Sequence, residues 1–404
     1  MKVQGLELTE IAQEYGTPLY VYDGEKISTQ IQNLKKGFAK APLKIKYATK
    51  ALTNVSILKL MRSQGVGVDA VSIEEVKLCM MAGYPANEIM YTPNCVGFSE
   101  IQEAVELGAM INLDNLVMLR EFGKTYGDKI PVAIRINPHI MAGGNSKISV
   151  GHIHSKFGIS IHQQEEIMEV VNEFSIQVNG LHVHTGSDIL DAAVFLRGAQ
   201  VLFDMAMNFP NLKFLDFGGG FKVAYKPDDV QTDIFKVGEE VSEAFNAFCE
   251  KYGRQLELWL EPGKYLVSEA GYLLVEANVV KETPEITFVG VNSGLNHLIR
   301  PMLYDAYHQV ENISARPSSA LKKYNIVGYI CETDTLAADR MLPEVNSGDI
   351  LAIKNAGAYS FSMASNYNSR VKPAEVLIWN GEAALVRKRE VFEDLLRNQV
   401  VLDF

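Results

Sequence analysis

The sequence predicts an α/β protein: a (β/α)8, TIM-like barrel followed by a β-rich C-terminal domain of sandwich or barrel type. Three observations predict it. Eight short apolar runs recur between residues 44 and 260, most of them separated by helix-like stretches. After about residue 265 that rhythm stops, and β-rich segments follow one another with turns between them and little helix. The 404 residues exceed what one small core needs and suit a large barrel with an addition.

Taken in order, residues 7–16 pattern as a short amphipathic helix, and Thr17-Pro18 introduces a strand-like run, Leu19–Tyr22. The eight barrel strands are expected at Lys44–Ala48, Gly67–Val71, Ile89–Thr92, Met110–Leu113, Val132–Ile136, Gly180–His184, Phe214–Phe217 and Leu256–Leu260. Helical stretches between them include Val55–Arg62, Ser72–Ala82, Phe98–Leu107, Gln163–Glu173 and Val237–Tyr252. Strand alternating with helix means parallel pairing through right-handed crossovers. Eight such units favour a closed barrel over a doubly wound open sheet. Later strands are expected at Tyr272–Val280, Ile286–Val291, Tyr324–Cys331, Asp349–Ile353 and Ala374–Trp379, with a last helix at Glu390–Arg397. The barrel is therefore placed at 25–265. Residues 1–24 and 266–404 are assigned to the β-rich domain, because the barrel count leaves Leu19–Tyr22 unused.

Composition narrows the function classes. A formal net charge of −11 argues against non-specific nucleic-acid binding and against an acidic membrane surface. The N-terminal stretch lacks the apolar core of a signal peptide, and no apolar run is long enough to span a membrane. Cys79, Cys95, Cys249 and Cys331 form no C-x-x-C pair, so neither a zinc site nor a disulfide framework is indicated. The expectation is a soluble, cytoplasmic protein with reduced thiols and no metal.

In a (β/α)8 barrel the chemistry sits where the strands end. The first strand delivers Lys50, in Tyr47-Ala48-Thr49-Lys50-Ala51. Burial at a strand end lowers an ammonium pKa, which suits an amine that must form a Schiff base with a carbonyl. The second strand delivers Asp69 and the sixth His182-Val183-His184-Thr185-Gly186-Ser187. One of the two histidines is expected to point away, and His184, nearer the strand end, is the one placed in the site. The seventh delivers Asp216-Phe217-Gly218-Gly219-Gly220, whose glycines let backbone N–H groups converge on an anion, with Ser187 a further donor. The eighth delivers Glu261-Pro262-Gly263-Lys264. A lysine, a phosphate cradle, an imidazole and an inward carboxylate in one mouth fit pyridoxal phosphate. The lysine takes its aldehyde, the glycines its phosphate and the carboxylate its ring nitrogen.

The β-rich part adds Arg300 and Tyr304 as a carboxylate clamp and Cys331-Glu332 as a proton donor beside an ammonium-binding acid. It also carries Gly357-Ala358-Tyr359 and the run Ser362 to Asn368. Together with the strand-end motifs, these pieces resemble the diaminopimelate decarboxylase family, within the barrel-type (fold-type III) pyridoxal-phosphate decarboxylases that include ornithine and arginine decarboxylases. The resemblance spans nearly the whole chain.

The resemblance implies that Lys50 holds the cofactor, His184 stacks on its ring and Glu261 binds its nitrogen. Ser187, Gly219, Gly220 and Tyr359 would lie near the phosphate, and Asp69, Gly263 and Lys264 complete the cofactor-binding set. Cys331 would return the proton after carbon dioxide leaves. Arg300, Tyr304, Glu332, Lys264 and Tyr359 would meet the substrate. It also implies a homodimer in which Cys331 and Glu332 reach across from the partner, so that the β-rich domain completes the active site and the dimer interface. The expected reaction is decarboxylation of meso-2,6-diaminopimelate to L-lysine, the last step of lysine biosynthesis.

Rival readings are an ornithine- or arginine-type decarboxylase, an amino-acid racemase, and a catalytically silent pyridoxal-phosphate-binding relative. A dehydrogenase fits less well, since Gly218-Gly219-Gly220 lacks G-x-G-x-x-G spacing. One departure stands out: most members of the family carry Glu-Pro-Gly-Arg, and this chain has Lys264, which keeps the charge and loses the bidentate fork. The glycines of Met141–Ser146 suggest a mobile loop over the barrel mouth.

Overall fold

The computed structural model describes residues 1–140, 151–315 and 320–404; the Met141–Ser146 loop lies outside the described residues. The chain forms two compact units. One comprises Ser28–Val223 and Val230–Leu266, the other Met1–Ile27, Ala224–Asp229 and Val267–Phe404.

The first unit is a closed barrel of eight parallel strands: Leu43–Ala48, Gly67–Ala70, Ile89–Tyr91, Met110–Leu113, Val132–Asn137, Val178–Val183, Phe214–Asp216 and Glu257–Leu260. The eighth strand closes on the first, with Leu258 opposite Leu43 and Leu260 opposite Ile45. A two-residue strand, Ile159–Ser160, adds to the end of the fifth. Helices fill the crossovers, and several begin on side-chain caps that satisfy first-turn N–H groups. Asn54 accepts from Ser56 N, Ser72 from Glu75 N, Asn115 from Met118 N, Asp191 from Val194 N, and Asp233 from Phe235 N and Lys236 N.

Side chains alternate along each strand, so one parity fills the barrel. At the amino-terminal end that filling is apolar: Met90, Ala133, Phe214 and Trp259 form a buried cluster, and the Phe214 and Trp259 rings stack at 3.7 Å. Gly180 makes room for them, since a Cβ there would lie 2.1 Å from the Phe214 ring. Lys46 completes this floor, its Nζ 4.3 Å from the Trp259 ring centroid and donating to Glu88 O at 2.8 Å. Towards the carboxyl ends of the strands the same parity delivers buried polar groups: Asp69, Asn112, Arg135, His182, Asp216 and Glu261.

In the second unit Leu19–Asp23 pairs antiparallel with the twelve-residue strand Gly271–Glu282 and parallel with Ala374–Trp379. Around that centre lie Thr287–Val291, Leu321–Val327, Ile350–Ile353, and three strands not read from the sequence: Val310–Asn312, Thr335–Pro343 and Glu382–Arg387. The last is mostly exposed and pairs on one side only, so it carries little apolar alternation. Asp339, at φ +55°, interrupts the pattern of Thr335–Pro343. Val21, Leu274, Ala352, Val376 and Ile378 anchor the core, against Leu8 and Ile11 of the helix Leu8–Tyr15. The buried Glu375 carboxylate is held by Tyr22 Oη at 2.7 Å and by Arg387.

The strand expected to reach Cys331 ends instead at Val327. Beyond it the chain wraps around the buried Asp334, whose carboxylate accepts from Ile330 N at 2.9 Å and Leu295 N at 2.6 Å. Those N–H groups are thereby satisfied without a ladder, and Cys331 and Glu332 sit on an exposed loop.

Candidate active site

Lys50 lies in the 3-10 turn Thr49–Ala51, directly after the first barrel strand. The turn is pinned by buried Thr49, whose Oγ1 donates within reach of Asp69 O at 3.0 Å and Glu75 Oε2 at 2.6 Å. The expectation of a buried lysine is corrected: Lys50 is exposed, and the buried lysine of this strand is Lys46 at the opposite end. Lys46 is the group whose pKa burial lowers.

Glu261, at 7% exposure, is the centre of the mouth. Its Oε2 is 3.1 Å from His182 Nε2, and its Oε1 is buried with no hydrogen-bond partner. His182 Nδ1 is 2.7 Å from the Asn112 carboxamide nitrogen. Asp216 accepts from Gly218 N at 2.8 Å, and Glu261 N donates to Gly218 O at 2.7 Å. Burial alone would raise the Glu261 pKa; the nearby His182, Lys50 and His184 outweigh it and hold the carboxyl below its ordinary range. Asp69 and Asp216 go the other way, raised by burial and by the Glu261 charge. Glu261 is thus held towards its anion while Asp69 and Asp216 are pushed towards their protonated forms, and Arg135, also buried, faces Glu261, Asp114, Asp69 and Asp216. The donor atoms of His182, Asp216 and Glu261 lie within 4.8 Å of one another, as a metal site would require. A carboxyl pushed towards its protonated form is a poorer ligand, which makes this set better suited to hydrogen-bonding an organic group.

The expectation that only one of the two histidines faces the site is wrong. Residues two apart share a face of a strand. His182 reaches Glu261, and His184 Nδ1 accepts from Gly219 N at 3.2 Å. That bond leaves the His184 proton on Nε2, and burial with the nearby Arg135 and Lys50 pushes its pKa well below the usual imidazole value.

Gly218 and Gly220 adopt φ +68° and +107°. A Cβ on Gly219 would lie 2.3 Å from Glu261 O, and one on Gly220 2.2 Å from Gly186 O. The run is glycine because three strand-end loops meet there. Of its N–H groups, those of Gly218 and Gly219 bond to Asp216 and His184, which narrows the expected anion cradle to Gly220 N–H, without a partner among the described residues. Ser187 is half-buried on the adjoining loop. Next to it Asp188, at φ +61°, takes Lys264 Nζ at 2.9 Å. Lys264 opens the short helix Lys264–Val267 directly after Gly263, whose carbonyl accepts from Leu266 N.

In the second unit Arg300 begins the helix Arg300–Tyr304 and is buried. Its guanidinium carbon is 5.4 Å from the Tyr225 ring and 5.9 Å from the Tyr304 ring. Its Nε is buried without a hydrogen-bond partner, and no carboxylate pairs with Arg300 among the described residues. Cys331 and Glu332 are joined by Tyr367, whose Oη donates to Glu332 Oε1 at 2.9 Å and is 3.8 Å from Cys331 Sγ. Tyr359 is half-buried at φ +54°, on a turn pinned by Ala356 N to Gly271 O and Gly357 N to Ser268 O.

The structure thus gathers Asp69, His184, Glu261 and the glycine turn in the mouth, and Cys331 with Glu332 on one loop. Arg135, Asn112 and Tyr225 had no place in the sequence reading. For the first two a signal existed: each is a polar residue of inward parity on an apolar strand, Arg135 between Ala133 and Asn137 and Asn112 between Met110 and Asp114.

Residues 24–268 match the pyridoxal-binding domain of the pyridoxal-dependent decarboxylases. A diaminopimelate decarboxylase of Methanothermobacter thermautotrophicus is 38% identical, the match covering 99% of this chain and 95% of the relative. One from Bacillus subtilis is 35% identical over 98% and 94% of the two chains. The crystal structure of diaminopimelate decarboxylase from Helicobacter pylori complexed with L-lysine superposes with a TM-score of 0.88 at 32% identity, covering 96% of this chain and 98% of that one.

Proposed function

This chain belongs to the pyridoxal-dependent decarboxylases, and from that premise we infer that it is the diaminopimelate decarboxylase of lysine biosynthesis, releasing carbon dioxide from meso-2,6-diaminopimelate to leave L-lysine. Its cofactor is pyridoxal 5'-phosphate. The mouth fits that group: Glu261 Oε1 is a buried acceptor with no hydrogen-bond donor among the described residues, and the cofactor's ring N–H is a donor that would satisfy it. When bound, pyridoxal phosphate supplies an electron sink for the pair left behind by carbon dioxide.

The chain's own residues divide the remaining work. Lys50 would hold the cofactor through its aldehyde carbon, its amine being the group that the substrate amine replaces. Glu261, held below the usual carboxylate range with His182 and Lys50 beside it, keeps the ring nitrogen protonated. His184 offers a neutral imidazole face to the ring, its tautomer fixed by Gly219 N–H. Gly220 N–H and Ser187 are donors for the phosphate, with Tyr359, Asp69, Gly263 and Lys264 in the same set. Cys331 carries the proton that replaces carbon dioxide, and Glu332 meets the substrate's distal ammonium.

The observation that carries the substrate assignment is Arg300. A buried guanidinium flanked by two tyrosine rings, with no carboxylate partner among the described residues, is a site for an anion. Diaminopimelate has a distal carboxylate to offer; ornithine, arginine and lysine do not. Lys264 is already engaged by Asp188, so Arg300 with Tyr304 is the principal grip on that carboxylate.

The working form is a cytoplasmic homodimer in which Cys331 and Glu332 serve the partner copy's site. The barrel domain, 25–265, binds the cofactor, and the β-rich residues, 1–24 and 266–404, supply the substrate contacts and the dimer interface. Cys331 and Glu332 are exposed in the single chain, as groups that serve a second copy would be. Four free thiols and a net charge of −11 suit a reducing compartment. No helix among the described residues is long and apolar enough to cross a membrane.

The test is carbon dioxide release from purified enzyme and pyridoxal phosphate, offered meso-diaminopimelate, ornithine, arginine and lysine separately. Release from meso-diaminopimelate alone, with L-lysine as product, is expected. Release from ornithine or arginine instead would overturn the substrate, and product racemisation without release would move the reaction class.

A further inference from the structure

Of the run Ser362 to Asn368, the functional reading absorbs no residue, yet its last two side chains converge on the Cys331 loop. Tyr367 Oη donates to Glu332 Oε1 at 2.9 Å and stands 3.8 Å from Cys331 Sγ. The Asn368 carboxamide lies beside the same sulfur with both ends in reach, Oδ1 at 3.3 Å and Nδ2 at 3.2 Å. Asn368 and Ser369 both take left-handed backbone, φ +56° and +55°, a conformation that non-glycine residues adopt at a cost. These residues lie 35 to 37 positions from their partners in sequence, so the cluster is built by the fold of the unit and not by a local turn.

We propose that Tyr367 and Asn368 are positioning residues for the proton return, Asn368 holding the Cys331 sulfur in both of its protonation states and Tyr367 fixing the Glu332 carboxylate beside it. The proposal rests on the reading of Cys331 as proton donor. In that step the S–H bond breaks and a C–H bond forms on the carbon that has lost carbon dioxide. The electron pair comes from that carbon, and the sulfur is left as a thiolate. Water then restores its proton.

A thiol is a weak donor that rotates freely about its Cβ–Sγ bond, so its proton has no preferred direction unless an acceptor supplies one. Asn368 Oδ1 supplies that acceptor before transfer, and Nδ2–H supplies a donor to the thiolate afterwards. Few side chains offer both within one planar group. Tyr367 does not compete as an acid: the hydrogen bond to Glu332, with Cys331 beside it, pushes its pKa up to about 12. The phenol therefore keeps its proton and acts as a fixed donor to Glu332, leaving the thiol as the proton source.

The experiment is alkylation of the holoenzyme by iodoacetamide from pH 6 to 10, read as the ratio of modified Cys331 to modified Cys95 by peptide mass spectrometry. Cys95 is exposed and serves as the internal reference, while Cys79 and Cys249 are buried. Asn368→Ala removes the donor to the thiolate, so the Cys331 ratio at pH 7.5 should fall about 10-fold, the scale of one lost hydrogen bond to a charged group. Asn368→Asp should shift it further the same way by adding a negative charge. In turnover, Asn368→Ala should lower kcat about 10-fold with KM within twofold, whereas Tyr367→Phe should raise KM for meso-diaminopimelate several-fold and move the Cys331 ratio less than Asn368→Ala does. An unchanged Cys331-to-Cys95 ratio across pH in both Asn368 variants would overturn the proposal. Wild-type kcat in Cys331→Ser would instead remove the reading it rests on, and the alkylation ratios distinguish the two failures.

Discussion

The barrel mouth and the Cys331 loop both collect ionisable side chains, and they do so by opposite physics. In the mouth Glu261, His182, Asp69 and Asp216 are buried, and each pKa is set by burial and by the others. On the loop Cys331, Glu332, Tyr367 and Asn368 are exposed, and hydrogen bonds alone arrange them. Buried groups are worth more electrostatically and are costlier to disturb. Exposed ones have little stability to lose and change chemistry without changing the fold. A change in the mouth should therefore move activity, cofactor affinity and stability together, whereas a change on the loop should move kinetic parameters alone.

The largest break expected is Lys50→Ala, which should lower turnover at least about 10^4-fold, the scale seen when a covalent catalytic residue is lost. Because the Lys50 side chain is exposed, unlike the buried groups of the mouth, thermal unfolding of the cofactor-free protein should stay near wild type, while the stabilisation added by bound cofactor is lost. Glu261→Gln sharpens the contrast. It removes the anion that keeps the ring nitrogen protonated, with a loss of about 10^2–10^3-fold in kcat. It should also weaken cofactor retention, measured by the absorbance of the bound cofactor during dialysis.

Arg300→Leu leaves the mouth untouched and deletes the buried cation of the second unit; kcat/KM for meso-diaminopimelate should fall about 10^2-fold or more, chiefly through KM. A diaminopimelate rate unchanged in that variant would contradict the role given to Arg300.

Two smaller effects probe the barrel itself. Gly180→Val would push a side chain into the Phe214 ring and should destabilise the protein by about 1–3 kcal/mol, measured by denaturant unfolding. Asp216→Asn keeps an acceptor for Gly218 N–H and cannot ionise. In the folded protein the Asp216 pKa is raised, so the native state holds the proton more tightly than the unfolded chain does. Stability then falls as pH rises from the unfolded value of about 3.9 towards the folded one. The variant escapes that loss: its stability relative to wild type should grow as pH rises above about 4 and stay level below it. Thermal unfolding across pH reads this directly, and a difference that shrinks as pH rises would contradict the assignment.

The barrel was legible because its strands obey two rules visible in a sequence: apolar runs of similar length, and chemistry at their carboxyl ends. Each of the eight expected strands lies within two residues of its observed bounds, as in Met110–Leu113 and Glu257–Leu260. Depth was less legible. Lys46 and Lys50 have the same parity in the sequence, and only the closed barrel decides that Lys46 fills the floor while Lys50, in the turn after the strand, reaches the mouth. The same parity rule, applied to the sixth strand, places His182 beside His184, and applied to the fifth it marks Arg135. The second unit was read less completely because its edge strands, such as Glu382–Arg387, are half exposed and carry no strong alternation. Its functional residues sit on loops whose partners, Tyr367 for Glu332 and Tyr225 for Arg300, are joined by the fold alone.

The most direct test of the central claim, that the first strand delivers the amine that holds pyridoxal phosphate opposite Glu261, is borohydride reduction of the holoenzyme followed by peptide mapping. The account predicts a single pyridoxyl group on the peptide containing Lys50, lost in Lys50→Ala. Label on Lys46, on Lys264 or on no lysine would contradict it.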